Sequence, residues 1–188
     1  MRLRLAREAD APAVRAIYAP IVTETTTSFE AEPPSVEEVA RRIRTTLATH
    51  PWLVAEIGGA VVGYAYAGPH RSRTAYQWST EVSVYVHADA RRRGVARALY
   101  LALFEVLRLQ GYVNAYAGIT QPNAPSMSFH EAIGFEPVGV YRRVGFKHGA
   151  WHDVAWSQLR LREDDAPAPP RMLPDIVGSE GWDAALKL

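Results

Sequence analysis

The hydrophobic positions of the chain fall into short alternating runs and longer runs with helical spacing. Leu3 and Leu5 alternate with arginines, a pattern that predicts a short strand. Asp10 is a candidate N-cap for a first helix, in which apolar residues recur at helical spacing. Ser35 begins the capping box Ser-Val-Glu-Glu, which predicts the start of a second helix.

The later part of the chain continues with strands and two further helices. Gly58 and Gly59 separate two apolar runs and predict a β-hairpin of strands at 52–57 and 61–67. The segments that follow are a strand at 82–86, a long helix from Val95 that Gly111 ends, a strand at 112–119, a helix at 123–133, and strands at 138–146 and 154–161. This order indicates an α/β fold with a mixed, seven-stranded sheet flanked by helices.

Composition narrows the class of protein. A chain of 188 residues with 48% hydrophobic and 22% charged residues is typical of one globular domain. The absence of cysteine excludes disulfides, zinc-thiolate sites, iron–sulfur clusters and a thiol nucleophile. The net charge is +1, so no global field favours nucleic acid or an anionic membrane. With no signal-peptide core and no run of ~18 apolar residues, we expect a cytoplasmic protein.

The composition changes near Glu163, where an acidic and then proline-rich segment begins. We therefore predict a folded domain at 2–162 and an extended tail at 163–188, which is either disordered or lies over the surface. Trp182 and Leu186 suggest that the end of this tail docks on the domain.

Four arginines and a glycine surround the predicted start of the long helix: Arg91, Arg92, Arg93, Gly94 and Arg97. The helix start offers free N–H groups and the positive end of the helix dipole, and Gly94 lacks a Cβ that would block an anion. Basic residues at this end oppose the dipole, so a merely solvated first turn is the less favoured interpretation. The loop has neither a Walker A nor a Rossmann glycine pattern, which argues against ATP and NAD.

The loop Arg91-x-x-Gly94-x-Ala96 resembles the acetyl-coenzyme A loop of the GNAT N-acetyltransferases, and 123–135 is similar to that family's second cofactor motif. Further blocks look like the phosphinothricin and methionine sulfoximine acetyltransferase subfamily: Tyr18-Ala-Pro-Ile, Thr26-Thr-Ser-Phe29, Pro51–Glu56, Ala65–Pro69, Tyr76-x-Trp78 and Gly145–Asp153. The resemblance covers about residues 2–162. It implies the GNAT fold, acetyl-CoA as donor and a small amino-acid-like amine as acceptor.

The resemblance also implies which residues hold acetyl-CoA. A bulged strand that separates from its neighbour would offer backbone contacts from Val84, Tyr85 and Val86 to the pantetheine arm. The arginine loop with Val95 and Ala96 would bind the phosphates, and Asn123 and Ser126 would line the other side. His130 stands where many GNAT enzymes have tyrosine, as is typical of the phosphinothricin subfamily.

Acetyl transfer to an amine requires a proton acceptor, an oxyanion donor and stabilisation of the leaving thiolate. Glu81 lies at the start of the cofactor strand and is our candidate base, although a surface glutamate is the commoner fate of such a residue. His130 is a second candidate for proton transfer, against the alternative of a packed helix histidine. The backbone N–H of Val86 is the expected oxyanion donor.

The segment His148-x-x-x-His152-Asp153 has metal-ligand residue types, but Gly145 and Gly149 predict a turn rather than a helix, so we expect no metal. The subfamily resemblance instead suggests Lys147 and His148 for an acceptor carboxylate, with Arg73 as second choice. Phe29, Tyr76 and Trp78 are candidates for the walls of the acceptor pocket, although such aromatics are more often core.

Several alternatives remain beside an amino-acid acetyltransferase. In one alternative, the acceptor is another amine or a protein N-terminus. In the other, the protein binds acyl-CoA without catalysis, but the presence of both Glu81 and His130 argues against this alternative. A serine hydrolase is rejected because no G-x-S-x-G turn occurs, and nucleic-acid binding because no basic and aromatic stripe is present. The resemblance implies a homodimer, for which Phe146, Trp151 and Trp156 fit a pairing surface.

Overall fold

A computed structural model describes residues 1–187 as a seven-stranded sheet with helices on both faces. The strands are β1 (Arg2–Leu5), β2 (Trp52–Ile57), β3 (Ala60–Pro69), β4 (Ser79–Val86), β5 (Asn114–Thr120), β6 (Glu136–Lys147) and β7 (Ala150–Arg160). The helices are α1 (Ala11–Glu24), α2 (Val36–Leu47), α3 (Val95–Gln110), α4 (Ala124–Ala132) and the short α5 (Trp182–Ala185). Single 3₁₀ turns lie at Glu8–Asp10, Thr74–Tyr76, Ala88–Ala90 and Leu173–Asp175.

The predicted order of elements is confirmed through β7, and so is the mixed character of the sheet. The strands lie in the order β1-β2-β3-β4-β5-β7-β6, and the β4–β5 pair is parallel while the others are antiparallel. The main difference lies in β4, which begins at Ser79 rather than at Val82. Glu81 is therefore inside the strand.

The two faces of the sheet carry separate cores. Leu99 and Leu103 of α3 are fully buried against one face, which Leu53 of β2 also lines. Val14 of α1 and Ile43 of α2 are buried against the other face. Because β2 is covered on both sides, its first four residues are all buried rather than alternately buried and exposed.

The start of α1 differs from the prediction. Asp10 makes no side-chain cap to that helix. Its carboxylate instead accepts two hydrogen bonds of 2.7 Å from the Arg4 guanidinium and one from the backbone N–H of Arg7. Arg4 lowers the pKa of Asp10, and an arginine pair of this geometry is stronger than a backbone cap.

Part of the segment predicted to be an extended tail packs against the domain. Residues 163–172 form neither helix nor strand, but Leu173, Ile176 and Trp182 are buried against Val106 of α3. The docking expected for Trp182 is therefore observed. In the described part of the chain, no helix is both long and apolar enough to span a membrane.

Candidate active site

The sheet opens between β4 and β5. These strands pair only where Ser79–Glu81 faces Asn114–Tyr116, whereas β4 stays paired with β3 as far as Val86. The expected separation of the two strands is present. The expected bulge is not, because every residue of β4 from Thr80 onward pairs with β3 in unbroken register. Separation from β5, rather than a bulge, leaves backbone groups free.

The alternation of β4 decides which backbone groups face the gap. His87 donates its N–H to Val62 of β3 at 2.9 Å. Successive residues of a strand point their N–H groups to opposite edges, so Tyr85 also turns toward β3. Val84 and Val86 turn toward the gap, as the predicted contacts with a cofactor arm require. The backbone contact predicted for Tyr85 does not fit this geometry.

The loop after β4 leads into an exposed helix start. Arg91, Arg92, Arg93 and Arg97 are all exposed, and none of them forms an ion pair with any residue in 1–187. The first intrahelical bond of α3 runs from Ala98 N–H to Gly94 O, so the preceding N–H groups of Val95, Ala96 and Arg97 lack helical partners.

Gly94 makes this helix start open to a ligand. Its φ is +77°, a conformation that favours glycine, and a Cβ built there would meet nothing within 4 Å. The space beside Gly94 is thus clear of protein atoms. Unpaired guanidinium groups, free amides and this clearance together fit a pyrophosphate and a further phosphate.

Helix α4 follows β5, the strand on the far side of the opening. Asn123 caps it by accepting a hydrogen bond from Ser126 N–H at 3.2 Å. His130 is buried among Tyr100, Phe129 and Phe135. Burial lowers its pKa, although a hydrogen bond to Ser126 O opposes the shift. Because that carbonyl can only accept, Nδ1 at 2.8 Å carries the hydrogen, and Nε2 lies 3.5 Å from the Tyr100 hydroxyl. This neutral tautomer has no proton to give at Nε2.

Glu81 stands where β5 parts from β4. Its side chain lies on the opposite face from Val82, which is buried beneath α3, and so belongs to the α1–α2 side. Oε1 lies 3.0 Å from His70 Nδ1 and 3.2 Å from Arg71 Nη1. The Glu81 side chain is 38% exposed, so solvent and a small molecule can reach it.

Aromatic rings surround this carboxylate cluster. The His70 ring lies flat on Tyr116, with centroids 4.4 Å apart, and meets the edges of Tyr76 and Trp156 at 6.0 Å. Arg71 lies over the Trp156 ring at 5.8 Å. Trp156 is therefore partly enclosed here, with its Nε1 buried, and the expectation that it is an exposed apolar residue is wrong.

His70 and Arg71 do not appear among the residues that sequence reasoning selects. A single histidine after Pro69 forms part of no motif. The signal for His70 is the β3–β4 register, which pairs Gly68 with Glu81. His70 follows Gly68 by two residues and therefore lies near the Glu81 carboxylate.

A second cluster lies at the tip of the β6–β7 hairpin. Lys147 is 9% exposed and donates to Val22 O and Ser28 O, both at 2.6 Å. It thereby ties the hairpin to the loop that carries Phe29. The prediction that Lys147 binds an acceptor carboxylate does not fit this geometry, because its ammonium group already serves two protein carbonyls.

The neighbours of Lys147 keep an exposed edge. Phe29 is 41% exposed and lies directly over Gly145, where a Cβ would come within 2.3 Å of its ring. His148 and Gly149 form the hairpin turn with φ of +49° and +76°, and His148 is exposed. The predicted turn is confirmed. Among residues 1–187, no three His, Asp or Glu side chains are grouped to hold a metal ion.

The remaining predicted wall residues separate. Tyr76 is 43% exposed and lies beside His70. Arg73 is also exposed and precedes the turn Thr74–Tyr76. Trp78 does not join them: its Nε1 donates to Ala168 O, in the C-terminal segment, at 2.9 Å. The placement of Trp78 in the acceptor pocket does not fit this contact.

Comparisons with known proteins agree with this geometry. The model of the acetyltransferase (GNAT) domain family matches residues 3–156. A phosphinothricin N-acetyltransferase of Streptomyces viridochromogenes is 40% identical over 171 residues, which cover 91% of this chain and 92% of the relative. An L-methionine sulfoximine/L-methionine sulfone acetyltransferase of Salmonella typhimurium is 34% identical, over 89% of this chain and 98% of the relative.

Solved structures show the same similarity. A phosphinothricin acetyltransferase from Sinorhizobium meliloti, crystallised with acetyl-CoA, has a TM-score of 0.84 and 38% identity, over 92% of this chain and 95% of that one. A ribosomal-protein-alanine N-acetyltransferase from Brucella melitensis has a TM-score of 0.79 and 37% identity, over 85% of this chain and 99% of that one. The family resemblance seen in the sequence is confirmed.

Proposed function

We propose that this chain, which belongs to the acetyltransferase (GNAT) family and takes acetyl-CoA as its acetyl donor, acetylates the amino group of a small amino acid or amino-acid analogue. Relatives named for phosphinothricin and methionine sulfoximine support this acceptor class. The observation that carries the proposal is the position of Glu81, a half-exposed carboxylate at the point where β4 and β5 part.

The donor would lie in the gap and at the start of α3. The residues proposed to hold it are Val84, Val86, Arg91, Arg92, Arg93, Gly94, Val95, Ala96, Arg97, Asn123 and Ser126. Acetyl-CoA would supply a thioester, whose carbonyl carbon is open to attack by an amine nitrogen. The new N–C bond would replace the C–S bond, and the CoA thiolate would leave and take up the proton that the acylated nitrogen loses. The N–H group of Val86 turns toward the gap and is the proposed donor to the oxyanion.

Glu81 would remove the proton that keeps the acceptor unreactive. An amino acid arrives at neutral pH as an ammonium ion, which has no lone pair. Glu81 accepts one ammonium proton, directly or through water, so an N–H bond breaks, an O–H bond forms and the nitrogen lone pair becomes free. We assign this step to Glu81 rather than to His130, because His130 is enclosed by aromatic rings and faces Tyr100.

A second charge beside Glu81 suits an α-amino acid. Arg71 is 42% exposed and lies 3.2 Å from the same carboxylate. An acceptor ammonium near Glu81 would leave its α-carboxylate within reach of this guanidinium, with Arg73 and His148 as further candidates for that contact. Phe29 and Tyr76 are proposed as walls for the rest of the acceptor.

The proposal is tested by measuring release of the free CoA thiol across a panel of amino acids, phosphinothricin and L-methionine sulfoximine. Wild-type protein should turn over members of the panel. Glu81→Gln keeps the size of the side chain but removes the base, and should lower kcat by about 10²–10⁴-fold while acetyl-CoA still binds. A Glu81→Gln enzyme within a few-fold of wild type would rule out this carboxylate as the base.

A protein N-terminus is the second candidate acceptor, supported by similarity to the relative named for ribosomal-protein alanine. A peptide with N-terminal alanine therefore belongs in the same panel. Preference for the peptide over every free amino acid would favour this second function.

We also propose that the enzyme is a homodimer. Five apolar side chains of the edge strand β6 are exposed by 48% to 62%, namely Val138, Val140, Tyr141, Val144 and Phe146, and Trp151 of β7 is 52% exposed. An apolar patch of this kind on an unpaired sheet edge supports burial against a second copy. We propose a cytoplasmic location as well, where acetyl-CoA is available, which cell fractionation tests.

A further inference from the structure

The imidazole of His70 lies beside Glu81 and has no part in the proposed proton transfer. Its side chain is only 13% exposed, although it follows the last residue of β3 and lies outside regular structure. Three aromatic rings fix it: Tyr116 lies parallel to it at 4.4 Å, and Tyr76 and Trp156 approach with their edges. The ring plane is thus held from three strands or turns, which is more than a surface histidine requires.

The fixed ring presents Nδ1 to the carboxylate. His70 Nδ1 lies 3.0 Å from Glu81 Oε1, a hydrogen-bond distance. An ionised carboxylate can only accept, so this partner selects the tautomer with hydrogen on Nδ1. Arg71 donates to the same oxygen at 3.2 Å. Within residues 1–187 both contacts converge on Oε1, and Oε2 is left as the oxygen that can receive a proton.

We propose that His70 is a positioning residue for the transfer reaction, which orients Glu81 by donating from Nδ1 to Oε1 and so directs Oε2 toward the acceptor amine. This role of His70 rests on the proposed role of Glu81 as base. Arg71 alone does not replace it, because that side chain is 42% exposed and its contact is longer. The enclosed histidine supplies the more rigid of the two contacts.

Two substitutions of His70 distinguish a role as a hydrogen-bond donor from a role in ring packing. His70→Asn places an amide N–H close to where Nδ1 was but loses most of the ring, whereas His70→Phe keeps a stacking ring but has no donor. If His70 acts as a donor, His70→Phe should lower kcat roughly tenfold, as expected for loss of one hydrogen bond to a charged group. His70→Asn should stay within about threefold of wild type, and KM for acetyl-CoA should change in neither variant.

The measurement is the initial rate of CoA thiol release with L-methionine sulfoximine as acceptor, with kcat and KM fitted for each substrate. His87→Asn is the matched control, because it makes the same change at a histidine that is 48% exposed and follows the last residue of β4, six positions from Glu81. Near wild-type rates for His70→Phe with a loss in His70→Asn would overturn the proposal, and so would equal losses in both.

A further comparison tests whether His70 acts through Glu81. In a Glu81→Gln background, His70→Phe should cause no additional fall in kcat; an additional tenfold fall overturns the proposal. Wild-type activity in Glu81→Gln itself would overturn both the base assignment and the role of His70. If the wild-type protein acetylates no amine, the proposed function fails, and a crystal structure of His70→Phe still decides the positioning role: an unmoved Glu81 carboxylate overturns it.

Discussion

Lys147 offers a direct test of how the acceptor side is built. Its ammonium donates to Val22 O at the end of α1 and to Ser28 O in the loop beyond, both at 2.6 Å. Lys147→Met keeps an unbranched stem but removes both donors. Each hydrogen bond from a charged donor contributes about 1.5–3 kcal/mol, and the cost of burying the ammonium offsets part of that sum.

We expect a net loss of about 2 kcal/mol in the free energy of unfolding, by the same reasoning on paired donors. For a chain of this size, about 2–4 °C of Tm corresponds to 1 kcal/mol, so Tm should fall by about 4–8 °C. Scanning calorimetry measures this loss. Lys187→Met is the matched control, since Lys187 is exposed near the C-terminus and its replacement should leave Tm unchanged.

The Lys147→Met variant also distinguishes two roles for Lys147, which are anchoring the Phe29 loop and binding the acceptor carboxylate. Anchoring of the Phe29 loop predicts a lower Tm together with an altered amine KM. If Lys147→Met keeps the wild-type Tm and raises only the KM for the amine, the lysine contacts the acceptor carboxylate, and the anchoring role is refuted.

Three other outcomes test separate parts of the structure. Gly94→Asp should raise the Kd for acetyl-CoA at least tenfold, by calorimetry, because it adds an anion at the helix start; Gly94→Ala controls for strain at positive φ. Burial lowers the pKa of His50 to about 4. Below about pH 6.5 the imidazole of His50 is therefore protonated in the unfolded chain but stays neutral in the folded chain. The free energy of unfolding should accordingly fall by up to about 3 kcal/mol between pH 6.5 and 4. Urea unfolding should show this loss in wild type and less of it in His50→Gln. Trp151→Glu should shift sedimentation to a 20.8 kDa monomer, whereas a dimer that persists would locate the interface elsewhere.

Sequence pattern was sufficient for the order of strands and helices, because burial on one face leaves a period of two or 3.6 residues. The start of α3 was also readable, since its glycine and arginines are local in the chain. Asp10 shows the limit of such local reasoning. Its residue type and place match an N-cap, but Arg4, six residues earlier, binds the carboxylate more strongly.

The acceptor side depends on contacts between distant parts of the chain. Lys147 bonds to Val22 across 125 positions, and nothing near either residue indicates it. His70 meets Glu81 only because β3 and β4 pair in one register. Trp156 stands on a strand near other apolar residues, and the sequence does not state which of its neighbours will cover it. Local motifs are therefore more informative about the proposed donor site than about the proposed acceptor site.

The opening between β4 and β5 also divides the hydrogen bonding of the sheet into two parts. Four strands lie on one side of it and three on the other, and direct pairing across it is limited to Ser79–Glu81 with Asn114–Tyr116. The rest of the connection between the two halves is the core under α3, which contains Val82 of β4 and Ala117 of β5.

A ligand in the opening would then act as a missing strand. Its amide groups would meet the free N–H and C=O groups of Val84 and Val86, which are otherwise left to water. Amide exchange along β4 should accordingly alternate, with Tyr85 slow and its two neighbours fast, until donor binding slows those neighbours as well. Donor binding would thus add strand-like hydrogen bonds across the opening and stabilise the folded state by mass action.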